Sequence, residues 1–110
     1  MDEKIIELKD TIKDLLQNIV KRIDDISGDN GVTENHDTDR LVNLFDDLQA
    51  LAEGIDIIRE FYADIDIMEF QEKIDMIKRA MEAQDMMLLS DLLKYELRGL
   101  LDYWTKCLSK

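Results

Sequence analysis

Apolar residues recur at helical spacing almost from the first residue of the chain. Ile5, Leu8, Ile12, Leu15 and Ile19 alternate by three and four, with Leu16, Val20 and Ile23 widening the stripe. That is the period of a helix with one buried face, and it predicts a first helix over about residues 2–27. The next stretch, SGDNGVTENHDTD from Ser27 to Asp39, collects Gly, Asn, Asp and Thr. These residues compete with helix and supply turns, so residues 28–38 are expected to form the one long loop.

A second helix is predicted over about 39–63, with Asp39 as its N-terminal cap. Its apolar stripe runs through Leu41, Leu44, Phe45, Leu48, Leu51, Ala52, Ile55, Ile58, Phe61 and Tyr62. A break is expected at Asp64 to Asp66, where Asp66 and Glu69 have the spacing of a capping box. Ile67, Phe70, Ile74, Ile77 and Met81 then mark a third helix, about 66–83. Glu82 to Asp85 should make a tight corner with Asp85 as cap, before a fourth helix over about 85–108. Four amphipathic helices with one long and two short connections predict an all-α, antiparallel four-helix bundle in a single domain, 1–110. The nearest alternative is a three-helix bundle in which the middle helices fuse through Ala63.

Composition supports long helices and narrows the function. The 110 residues include no proline, and 45% are hydrophobic, too many for a disordered chain. The net charge of −12 disfavours nucleic acid, whose phosphates need clustered Lys and Arg, and equally an anionic membrane surface. No uncharged stretch approaches the roughly 20 residues that cross a bilayer. The opening MDEKIIELK does not have the form of a secretory signal, and the single cysteine, Cys107, cannot make an internal disulfide. A cytoplasmic protein is expected. The acidity is uneven: residues 28–64 hold ten acidic and two basic side chains, a balance of −8, whereas residues 85–110 hold four of each. The acidic second helix is thus read as serving solubility and long-range attraction of a basic segment.

Candidate chemistry is sparse. Asp56, Glu60 and Asp64 stack four apart, but a charged stripe opposite an apolar one is the ordinary form of an amphipathic helix. A di-iron site would need Glu-x-x-His on two helices, and the only histidine, His36, lacks that spacing. Asp25 to His36 resembles a calcium-binding EF-hand loop, but Gly31 comes one residue late and His36 stands where the bidentate Glu belongs. Cys107 has no histidine placed by sequence to activate it. The pairs Glu69/Glu72 and Glu82/Asp85 resemble the carboxylate pairs with which all-helical nucleoside triphosphate pyrophosphohydrolases hold magnesium. That resemblance gives the alternative function, a metal-dependent nucleotide hydrolase. No cofactor is expected, and the main reading is not an enzyme.

The fourth helix points to a binding role. Met76, Met81, Met86 and Met87 cluster near the corner before it, adaptable side chains suited to irregular cores and to varied partners. Leu88, Leu89, Leu92, Leu93, Leu97, Leu100, Leu101, Trp104 and Leu108 cover more of its circumference than one core requires. Met87, Tyr95, Tyr103 and Trp104 are therefore the expected docking face for a partner protein's helix or for a homodimer. Gly99 is read as a point of close helix approach, with Gly54 able to play the same part, so Gly99→Leu is expected to disrupt the bundle.

The pattern Asp85, Leu89, Asp91-Leu92-Leu93, Tyr95-Glu96-Leu97 and Trp104 resembles the C-terminal segment of small acidic helical bacterial proteins with no assigned activity. In size, acidity and helical make-up the chain is also similar to flagellar and secretion chaperones. That second resemblance implies a fold that holds an amphipathic partner helix.

Overall fold

The predicted helices form, and their ends show why. In a computed structural model, residues 3–27 and 34–109 are described, with side chains from residue 39 onward in the second segment. Helix α1 spans Glu3–Ile26 and buries Ile12, Leu16, Ile19, Ile23 and Ile26, spaced four, three, four and three. The buried Ser27 ends it, with its N–H and its hydroxyl both donating to the Ile23 carbonyl, at 2.8 and 2.6 Å. Two donors thereby satisfy a carbonyl that has no partner within the helix.

Helix α2, Glu34–Ile58, begins five residues before Asp39, so the loop expected over 28–38 is shorter than its composition implied. Helix propensities differ by only a few tenths of a kcal/mol for ordinary residues, and the Asn, Asp and Thr of residues 35–38 do not prevent helical backbone. Asp25 and Ile26 belong to α1 and Glu34 to His36 to α2. The span likened to a calcium loop is therefore not one loop, and its residues 28–33 lie outside the described ones.

A short 3₁₀ turn, Arg59–Phe61, closes α2. The chain then leaves helical geometry at Tyr62 (φ −136°, ψ 84°), which removes the fused three-helix alternative. Helix α3, Ile67–Glu82, starts on Asp66, whose Oδ1 accepts from the N–H groups of Met68 (2.9 Å) and Glu69 (3.4 Å).

The corner after α3 turns in three residues. Gln84 adopts φ 55° while its N–H donates to Met81 and that of Asp85 donates to Ala80. This is the Schellman arrangement, which normally favours glycine at the left-handed position. Asp85 then caps the next helix, accepting from the Leu88 N–H at 3.0 Å. Helix α4 runs as α-helix Met86–Asp91, a π-helical segment Leu92–Leu97, and α-helix Arg98–Leu108.

The result is all-α, a bundle of four helices 45 Å long and about 20 Å across (21 × 19 Å). Helix α1 packs most extensively on α2 and on the C-terminal half of α4, and α3 packs on the N-terminal half of α4. One continuous core contains Leu16, Ile19, Leu51, Ile55, Ile77, Leu97 and Trp104. No helix among the described residues is long and apolar enough to cross a membrane.

Candidate partner-binding surface

The helix expected to carry the docking face has two sides, and the π segment determines which residues occupy each. Leu89, Leu93, Leu97 and Leu101 are separated by three successive spacings of four, and all four are buried. In an unbroken α-helix each such spacing drifts by about 40°, so the last leucine would lie roughly 120° from the first. The π segment absorbs that drift: the Arg98 N–H donates to Leu93 five residues back. Three fours in a row is the sequence signal that identifies the insertion, and it was missed when the leucines were read as surplus to one core. Eight of the nine apolar residues named on this helix are in fact core, because α1 flanks it on one side and α3 on the other. Only Leu88, 46% exposed, stands outside.

Trp104 requires a correction. It is fully buried and stacks obliquely on Phe70, with ring centroids 5.1 Å apart and an interplanar angle of 34°. Its indole N–H has no hydrogen-bond partner among the described residues. It belongs to the core, because its neighbours at spacings of three and four, Leu100, Leu101, Cys107 and Leu108, all face inward, as does Leu97 seven residues back. The other three predicted residues are outside: Met87 is 80% exposed, Tyr95 67% and Tyr103 48%.

Gly99 also differs from expectation. A Cβ built on it would meet nothing within 4 Å, whereas one on Gly54 would lie 3.1 Å from the side chain of Ile12. Close approach therefore occurs at Gly54, between α1 and α2, and Gly99 lies open on the surface between Tyr95 and Tyr103, four residues from each. Toward the corner this exposed stripe continues through Leu88 into an apolar cleft of about 330 Å³ between α3 and α4. Met76, Ala80, Ala83, Leu88 and Leu92 line it, with Arg79 and Asp85 at its edge. Met76 is 44% exposed, while Met81 and Met86 pack partly buried against the core.

Ion pairs hold this surface in place. Lys73 Nζ meets Glu96 Oε2 at 2.9 Å, joining α3 to α4. Arg98 reaches Asp24 of α1 at 2.6 Å and Asp102 at 2.8 Å. Its guanidinium is held above its ordinary proton affinity, first by the hydrogen bond to Asp24 and then by the charge of Asp102. The Tyr103 phenol is likewise pushed above its usual value, first by a side-chain hydrogen bond with Cys107 and further by the negative fields of Asp64 and Glu69.

The carboxylate pairs proposed for metal do not converge. Glu69, Glu72 and Glu82 are exposed along the single helix α3, and Asp85 is engaged as the α4 cap. Among the described residues no three His, Cys, Asp or Glu side chains are grouped to hold a metal ion. No curated protein and no solved structure matches the chain. A family model does match it, over residues 7–107, and the chain belongs to that family, described as a domain of unknown function (DUF8042).

Proposed function

We propose that this protein is a helical protein-binding module that docks a helix of a partner, or of a second copy, along the outer side of the α3–α4 hairpin. The observation that carries the reading is Gly99. A glycine inside a helix costs about 1 kcal/mol relative to alanine, and among the described residues nothing comes within 4 Å of a Cβ built on this one. Tyr95 and Tyr103 stand on either side of it, large rings with polar tips of the kind enriched at interfaces. A partner helix laid over Gly99 could approach closely there and pack its side chains between the two rings. The fourth helix is also the electrically balanced part of an acidic chain, so docking on it meets little like-charge repulsion. An adaptor or chaperone-like role in the cytoplasm, as the helical make-up suggests, follows from such a surface.

The test is a Tyr95→Glu, Tyr103→Glu double variant. Both residues are exposed, so helicity should match wild type, with the melting temperature lowered only by the loss of the Tyr103–Cys107 hydrogen bond. Size-exclusion chromatography of the tagged protein from its own cells should show wild type in a larger species and the variant at monomer size. Identical elution of wild type and variant would remove the proposal.

A further inference from the structure

The bundle has a second open surface, between α2 and α3, of different chemistry. Ion pairs join α1 to α2 through Arg22 and Asp47, α1 to α4 through Arg98 and Asp24, and α3 to α4 through Lys73 and Glu96. Between α2 and α3 lie two clefts of about 380 and 390 Å³ that share Ala52 and Gln71 and so form one trough. Its floor is apolar: Phe45, Leu48, Ala52, Phe70 and Ile74. Phe45, Ala52 and Ile74 are only partly buried, and Met68 at the far end is 60% exposed. Its rim holds Asp46, Glu53, Asp56 and Asp75 against Arg59 and Lys78. One of those two cations is already engaged, because Arg59 lies 3.0 Å from Asp56. From Phe45 to Arg59 the trough follows α2 for about 21 Å at 1.5 Å per residue, the length of a helix of roughly 14 residues.

From this geometry we infer that the α2–α3 trough is a binding site for a basic amphipathic helix of another protein. The apolar floor takes the ridge of side chains that such a helix presents every three or four residues. The acidic rim takes the Lys and Arg that flank that ridge, and it steers their approach. The occupant is not a second copy of this chain. None of α1 to α4 carries a net positive charge: α1 holds six acidic and five basic residues, α3 four and three, α4 three and three, and α2 is strongly acidic. Nucleic acid and anionic lipid would meet the rim with the same sign of charge.

The probe is a fluorescein-labelled peptide of about 14 residues, the length set by the trough, made only of Leu at helical spacing and Lys elsewhere. Binding is read by anisotropy at physiological ionic strength, on the full chain. Two variants separate charge from shape: Asp46→Asn, Glu53→Gln, Asp75→Asn, which neutralises the rim, and Gln71→Trp, which fills the middle of the trough from an exposed position. Wild type should bind in the micromolar range, and each variant should bind at least about tenfold more weakly at unchanged helicity. The Tyr95→Glu, Tyr103→Glu variant should bind like wild type. No binding by wild type overturns the inference. So does loss in the neutralised variant alone, which is bulk charge attraction, or loss in the filled variant alone, which needs no basic partner. Retention in both variants, or loss in the Tyr95→Glu, Tyr103→Glu variant, places the peptide elsewhere and overturns it equally.

Discussion

Helix α2 meets a neighbour on each flank, and the two meetings differ. Toward α1 the fit is so close that a Cβ at Gly54 would press on the Ile12 side chain at 3.1 Å, and Arg22 pairs with Asp47 across the same seam. Toward α3 the flank holds Phe45 and Ala52 over a trough, both only partly buried. The same contrast recurs on α4, where Trp104 is sealed against Phe70 while its chain neighbour Tyr103 is 48% exposed. Apolar side chains on both flanks of one helix are thus of two kinds. Some are satisfied by the chain itself, and others leave surface over, and it is the second kind that gives this bundle its candidate sites.

The contrast is broken most severely at Trp104. Replacing it with alanine should destabilise the protein by about 3–5 kcal/mol in urea unfolding, the usual range for a buried tryptophan. A loss below about 1 kcal/mol would mean that the ring is not core. Next comes the pair of helix glycines. Gly54→Leu forces a side chain into Ile12 and should cost roughly 1–3 kcal/mol by overpacking, measured as a shift in the urea midpoint at constant m. Gly99→Ala should do the opposite and stabilise by up to about 1 kcal/mol, since it removes a helix-interior glycine into open space. If both substitutions destabilise, Gly99 too is a packing contact within the chain.

Gln84→Gly sharpens the comparison at the corner. It relieves a non-glycine residue at φ 55° and should stabilise by about 0.5–1 kcal/mol, reduced by the greater freedom of glycine in the unfolded chain. A melting temperature lower than wild type would contradict this. The smallest effect concerns Tyr103. Its phenol is raised above the ordinary 10.0, so its contribution to stability is intact at neutral pH and is lost only as pH rises through the elevated midpoint. In an absorbance titration, the phenolate step that Tyr103→Phe removes should lie above 10.0. A step at or below that value would remove the role given to Cys107, Asp64 and Glu69.

Much of this molecule was legible in its sequence because single residues announced it. Asp66 and Asp85 both cap the helices that their spacing marked, and Leu108 ends the last helix where the apolar pattern stops. What escaped was set by relations between helices. The start of α2 was hidden by residues whose helix penalties are small, and the π segment by a run of leucines that looked like excess rather than insertion. Trp104 and Tyr103 are adjacent in sequence, and which of them faces inward depends on where α1 and α3 lie against α4. Gly54 and Gly99 look alike in the chain, and only the path of α1 distinguishes them. The trough between α2 and α3 was illegible for the same reason: its floor residues had been assigned to the buried stripes of those two helices, with nothing to show that part of each stripe stays uncovered.

The central claim is that the Tyr95–Gly99–Tyr103 stripe of α4 is a docking face, and photocrosslinking tests it most directly. A benzophenone amino acid is placed at Tyr95, and at exposed Gln17 of α1 as control, in the protein expressed in its own cells. The account predicts a discrete higher-mass adduct from position 95, absent from position 17 and lost when Tyr103→Glu is added. An adduct pattern that is the same from both positions, or no adduct from 95, would contradict it.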